Sequence, residues 1–328
     1  MLRLVTAELR RLVRRRLTIV TVLLALIALG LLAFGGWKST RPMSAEVQAA
    51  NVQAWKEAQA DWEKSKDKQI QQCIDENKVA AKYGNATWEC TEANLAPAPY
   101  AYGAEPAPVS TLTSGVDMVL GMGLSLVGLL VGASFIAAEF TSRNLGSWLV
   151  FEPRRSRVFW AKLLALALGM LALCVITATL YLAGVWAIAQ LNHLTPDLTP
   201  RMQLSVLYGL GRATILAIAA ALGAAGLAFL TRHTSAVLAV CAAWLGFTAI
   251  VGGNGDSRAQ RFGVVSNIDA WMNGSSSYTV RICQRGTEMN CVYPTRYLDR
   301  VDGALLLFGL AALTVLLGWA AFQRRDVS

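Results

Sequence analysis

Residues 138–163 read AEFTSRNLGSWLVFEPRRSRVFWAKL. This basic, proline-broken piece separates two of the most apolar parts of the chain, 116–138 and 160–189. Further apolar blocks lie at 17–36, 204–230, 234–253 and 303–322. Each is about 20 residues or longer, and about 20 helical residues cross the hydrocarbon core of a bilayer. The reading is an all-α polytopic membrane protein with six transmembrane helices. Composition agrees: 55% of the 328 residues are apolar and only 16% are charged, against about 25% charged in soluble domains.

The quoted stretch also fixes the expected orientation. Placed on one side of the membrane with 1–16, 231–233 and 323–328, the segment 139–162 gives fourteen basic against four acidic residues, a net of +10. The rest of the chain holds sixteen basic and seventeen acidic residues, a net of −1. Basic loops stay in the cytoplasm. Both termini and the quoted stretch are therefore expected inside, with two extracytoplasmic segments at 37–112 and 254–302. Because the positive charge is divided among membrane flanks, it does not read as a nucleic-acid surface. Arginine outnumbers lysine 22 to 8 beside abundant Ala and Leu, which suggests a GC-rich bacterial genome and hence a bacterial plasma membrane.

The chain opens MLRLVTAELRRLVRRRL. Leu2, Val5, Leu9, Leu12 and Val13 share one helical face, and Arg3, Arg10, Arg11, Arg14 and Arg15 the other. That pattern predicts an amphipathic helix over 1–16, lying in the headgroups. The next apolar run is longer than the core of a secretory signal, so 17–36 reads as an uncleaved first span rather than a cleaved leader.

In the first outer segment, 44–82 is rich in Ala, Gln, Glu and Lys without Pro or Gly, and reads as helix. Trp55 and Trp62 share a face of it, to pack within the segment or to cover a partner. NLAPAPYAYGAEPAPVS at 94–110 reads as an extended spacer. The second outer segment opens with the loop GGNGDSR and continues into a hairpin of SYTVRICQR and NCVYPTRY. Cys73 and Cys90 lie in the first segment and Cys283 and Cys291 in the second, while no cysteine falls in a cytoplasmic loop. An oxidising exterior predicts two disulfides. Each pair closing a short loop gives Cys73–Cys90 and Cys283–Cys291; a cross-pairing would staple the two segments together.

Within the spans, Gly128 and Gly132 form a GxxxG pair, and the fourth span carries AIAAALGAAG at 217–226. Small residues let helices approach closely, either inside the bundle or at a dimer seam. Arg212, well inside the fourth block, either snorkels to the headgroups or faces a substrate cavity near Asp117. There is no HExxH, no GxSxG and no Gly-Lys dipeptide. The chain therefore carries no metalloprotease or hydrolase motif and no phosphate-binding P-loop. No metal set and no cofactor of its own is expected.

The order Glu139, NLGSWLVF, Pro153, Ser156-Arg157 and Lys162 resembles the permeases of type-2 ATP-binding-cassette (ABC) exporters. The amphipathic start, the six spans and the closing WAAFQRRDV are similar as well. The long first outer segment departs from the simplest members. The resemblance implies a short cytoplasmic coupling helix in 139–159, seated in a groove of a separate ATPase subunit that binds the ATP and magnesium. Its implied contact residues are Glu139, Arg143, Phe151, Glu152, Pro153, Arg154, Arg155, Arg157 and Phe159, with the phenylalanines as apolar anchors and the arginines as rim. Glu139 is expected to pair with a base of the first helix or with Arg143. Two ATPase copies and a second permease, identical or related, complete the expected assembly in the bilayer. A membrane-anchored sensor or immunity protein with a ligand-binding ectodomain is the alternative; a neighbouring gene for a span-free ATPase would distinguish them.

Overall fold

The first seventeen residues set the pattern of the fold: an amphipathic helix α1 (Leu2–Arg14) turns at Arg15 into an apolar helix α2 (Arg16–Ser39). The computed structural model describes residues 2–82, 89–141, 154–253, 261–280, 282–284, 290–292 and 295–324. Next come α3 (Ala45–Lys82), two short turns α4 (Glu92–Leu95) and α5 (Ser110–Thr113), and α6 (Val116–Thr141). Then follow α7 (Arg155–Leu191), α8 (Pro200–Thr231), α9 (Thr234–Gly253) and α10 (Val264–Asn273). Strands β1 (Ser275–Thr279), β2 (Ile282–Gln284), β3 (Asn290–Val292) and β4 (Thr295–Asp299) precede the last helix, α11 (Arg300–Arg324). By length and apolar composition α2, the run from α5 through α6, α7, α8 and α11 each suffice to cross a membrane; α9 is apolar but shorter over Thr234–Thr248.

α8 is the centre of the bundle, and small residues make it so. A Cβ added at Gly128 on α6 would stand 2.5 Å from the Ala217 carbonyl oxygen, and one at Gly132 would overlap the Ala221 backbone. On another side of α8, a Cβ at Gly226 would lie 2.6 Å from the Thr314 carbonyl of α11, and one at Gly318 2.6 Å from the Gly226 oxygen. Backbones thus meet with no side chain between them, which maximises dispersion contacts where lipid offers no hydrophobic drive. The GxxxG pair is an internal α6–α8 contact.

The helix ends follow local chemistry. Thr199 caps α8, its hydroxyl accepting from the Met202 N–H, with Pro200 in the first turn. Arg232 takes a left-handed conformation that ends α8 and lets α9 begin at Thr234.

At the far end of the bundle, α3 is one unbroken helix of 38 residues. The Trp55 indole donates to the Pro97 carbonyl at 2.8 Å, and Trp62 is buried. Both tryptophans therefore serve packing within their own segment. Cys73 and Cys90 are disulfide-bonded, with Cα atoms 5.8 Å apart. The returning strand of this segment lies along the α7–α8 connection: Val109 N–H donates to the Thr195 carbonyl, and Ser110 N–H to Asp197.

The second outer segment holds a helix that the sequence reading left unassigned, between the expected loop and the hairpin. α10 buries Ile268, Ala270 and Met272 among the spans. Gly303 lets it sit close, since a Cβ there would be 2.6 Å from the Asn267 carbonyl. The expected hairpin follows, with β1 on β4 and β2 on β3 in one continuous register, from Ser275 opposite Asp299 to Gln284 opposite Asn290. Cys283 stands opposite Cys291 in that register.

Candidate functional site: a buried charge cluster beside the 142–154 connection

The helix boundaries shorten the expected coupling segment. α6 runs on to Thr141 and α7 already begins at Arg155, because nothing in RSRVFWAK opposes helix. The connection between them is 142–154. Arg143, Phe151, Glu152 and Pro153 lie outside the described residues.

α1 packs along α7 through small residues one turn apart. Ala161 and Ala165 meet Val5, and Gly169 makes room for Leu12, whose Cδ2 would stand 2.5 Å from a Cβ there. The inward stripe of α1 is thus Val5, Glu8 and Leu12, at helical i, i+3, i+7 spacing, and all three are buried. Val13, expected on the apolar face, is 60% exposed instead. An acid at the middle of a buried stripe needs a partner, since an isolated buried charge is very costly.

That partner is Lys162. It is 0% exposed, and its Nζ lies 2.9 Å from Glu8 Oε1 and in direct contact with Glu139 Oε2. These are ion pairs by distance; neither has the directionality of a hydrogen bond. Arg11 reaches Glu8 at 3.8 Å from the rim. Arg15, at the α1–α2 turn, donates to the Ser134 carbonyl of α6 at 2.6 Å. Burial pulls the Arg15 guanidinium below its ordinary range, and the Glu139 and Glu8 carboxylates push it back up. The Arg15 guanidinium and the Lys162 ammonium each stand 5.6 Å from the centre of the Phe135 ring, within cation–π range. Two acids, Glu8 and Glu139, face two bases, Lys162 and Arg15, so the cluster is neutral and joins α1, α6 and α7.

An aromatic stack closes the same end of the bundle. Phe159 of α7 lies 4.6 Å from Phe229 of α8, centroid to centroid, and Phe229 5.2 Å from Phe322 of α11. Phe140, the neighbour of Glu139, meets Phe229 edge-on at 6.0 Å. The Arg155 guanidinium points to the Phe322 and Gln323 carbonyls at the C-terminus of α11, 3.4 Å from each, where a cation suits the helix dipole.

Measured against the sequence expectation, the site residues divide. Glu139 is buried and held by Lys162. Phe159 is fully buried; its ring is committed to its own bundle, which corrects its role as a partner-facing anchor. Arg155 turns to α11. Arg154 and Arg157 are exposed at the start of α7. Arg212 does not line the cavity described below: its Nε donates to the Tyr208 carbonyl one turn back, and its own carbonyl accepts from Trp271. Glu8 and Phe135 were not singled out in the sequence, Arg15 stood only on the basic face of the first helix, and Lys162 only in the basic flank and the family pattern. The available signal was Glu8 itself, a lone acid seated between Val5 and Leu12. Among the described residues no group of three or more His, Cys, Asp or Glu could hold a metal ion.

Stacked apolar helices with charges sealed inside one end define a multi-pass membrane protein. Residues 2–327 match the model of the ABC-2 family transporter proteins, and the chain belongs to that family. It is a membrane permease subunit of an ABC transporter, a transport component rather than a catalytic one, and the family implies association with an ABC ATPase. No curated protein and no solved structure matches the chain.

Proposed function

We propose that this chain moves its substrate outward across a bacterial plasma membrane, using ATP hydrolysed by a separate subunit. Two ATPase copies serve a pair of permeases, and magnesium and ATP are held by the ATPase. Both termini and the 142–154 connection face the cytoplasm, as the +10 against −1 division of charge favours. Arg154 and Arg157, exposed at the start of α7, lie at the rim of the ATPase contact, where charge steers and orients association.

The observation that carries this reading is the Lys162 cluster. It locks both ends of the connection, Glu139 on α6 and Lys162 on α7, to each other and to α1. A push on the connection is then delivered to three helices as one body instead of being absorbed in a loop. The test is R154E/R157E in the full chain, co-expressed with the ATPase subunit that purifies with the wild type. Loss of roughly tenfold or more in ATPase recovery, with permease yield unchanged, is expected. Full recovery of ATPase together with undiminished transport-coupled hydrolysis contradicts the placement.

A further inference from the structure

A cavity of about 460 Å³ lies between α2, α7 and the returning strand of the first outer segment. Its walls are Leu29, Leu32, Ala33 and Gly36 on one side and Leu180, Gly184, Val185 and Ile188 on the other. The walls run from Leu29 to Gly36 and from Leu180 to Ile188, or about 10–12 Å at about 1.5 Å per residue. Leu112 and Ala107 of the outer segment roof it.

Two features decide what it takes. First, among the described residues no Asp, Glu, Lys, Arg or His lines it, and its hydroxyl donors are largely spent. Tyr181 donates to the Leu112 carbonyl at 2.9 Å, Thr40 and Ser39 both donate to the Gly36 carbonyl, and Thr111 donates to the Pro108 carbonyl. A polar or ionic solute finds little there to replace its water. Second, two of the wall residues, Leu32 and Leu180, are 44% and 48% exposed. They belong to helices apolar enough to span a membrane, so the cavity opens on the face that meets hydrocarbon. Its helix walls are apolar, and the size is that of a ligand pocket.

We propose that this cavity holds one acyl chain of a bilayer phospholipid, inserted between α2 and α7 and roofed by the outer segment. Gly184 keeps the space open: a Cβ there meets nothing within 4 Å. The chain fills the volume between the spans and the strand that carries Leu112, and so fastens the first outer segment to the bundle. The proposal rests on the membrane placement of α2 and α7 and not on the transport reading.

The test uses the full chain in vesicles of a single synthetic phosphatidylcholine bearing a diazirine on one acyl chain. After photolysis, the labelled peptides are mapped by mass spectrometry. Labelling at Ala33–Gly36 and Val185–Ile188 is expected, beside general labelling of lipid-facing Leu313 and Leu316 on α11. Gly184→Phe fills the cavity; its expected effect is at least a tenfold loss of label at the first two sites, with α11 labelling and the Cys73–Cys90 bond unchanged. Gly184→Leu is a second, smaller filling, and the wild-type map stands by itself if neither variant folds. Absence of label at Ala33–Gly36 and Val185–Ile188 in the wild type overturns the proposal. So does label that survives in a folded Gly184→Phe protein. Label at those two sites that is lost when a small amount of unlabelled host lipid extract is added, with α11 labelling unchanged, assigns the cavity to a different amphiphile and overturns the bilayer-lipid assignment. No ATPase is needed, so failure here leaves the transport reading untouched.

Discussion

The molecule contains two kinds of lysine–carboxylate pair, and they lie at opposite ends. On α3, Lys78 meets Asp75 at 2.9 Å and Lys64 meets Asp61 at 3.0 Å, all four side chains more than half exposed. Beside the 142–154 connection, Lys162 meets Glu8 at the same 2.9 Å, with neither side chain exposed at all. Equal distances do not mean equal energies. Water and salt screen the first pair almost completely. The second sits where water cannot compensate a charge left alone. The contrast shows where the chain tolerates change and where it does not.

The largest expected effect comes from breaking the buried cluster from one side only. Lys162→Met removes the ammonium that touches both Glu8 and Glu139 and leaves the buried cluster one positive charge short, a loss of about 3–5 kcal/mol. A thermal melt in detergent is expected to fall steeply, and yield with it. E8Q/K162M removes one charge of each sign, so the cluster stays neutral with Glu139 facing Arg15, and is expected to recover most of that loss. A double variant as unstable as the single one would show that shape, not charge, is what Lys162 contributes.

Next comes the disulfide at the other end. Cys73 and Cys90 are 17 residues apart, and closing a loop of about 15 residues contributes about 3 kcal/mol in the chain-entropy model. Cys90→Ser is expected to speed proteolysis within the first outer segment while the spans keep their melting temperature. Equal loss in both would mean the two ends unfold together. For Cys283 and Cys291, opposite each other in register, non-reducing peptide mapping is expected to return a second bond, and free thiols at both positions would refute it.

Helix contact ranks third. Gly132→Leu drives a side chain into the Ala221 backbone, and overpacking costs about 1–3 kcal/mol. The melt in detergent is expected to fall without change of oligomeric state, whereas loss of dimer with an unchanged melt would return the GxxxG pair to a subunit seam.

Much of this was legible in the sequence, and the reasons differ by element. The apolar helices follow from composition alone, because only a run of about 20 apolar residues suits hydrocarbon. The Cys73–Cys90 bond followed from a pair sharing one outer segment. α1 was legible as amphipathic, yet its inner face was drawn imperfectly: hydrophobic periodicity put Val13 on it and left Glu8 unassigned, because the partner that buries Glu8 is supplied only by the fold. Phe159 looked like a partner's anchor because Phe229 and Phe322, its neighbours on other helices, are 70 and 163 residues away in sequence. α10 was missed because the glycine-rich start of its segment reads as loop, and its burial depends on Gly303, beyond the hairpin.

The smallest expected effect is at the exposed pair. Lys78 and Gln71 hold the Asp75 carboxyl below its ordinary range. Its contribution is therefore present above the ordinary aspartate pKa and is lost as pH falls through the lowered folded value. At this exposure Lys78→Ala is expected to leave the melting temperature at neutral pH unchanged within error. A clear drop would mean that α3 leans on a surface charge.

The central claim is that Lys162 binds α1, α6 and α7 into one body around the 142–154 connection. Hydrogen exchange across α1 tests it most directly. In the wild type the amides around Glu8 are expected to exchange as slowly as those of α7 near Ala165. In folded Lys162→Met protein, α1 is expected to exchange at least tenfold faster while α8 keeps its protection. Unchanged protection of α1 in that variant would contradict the account.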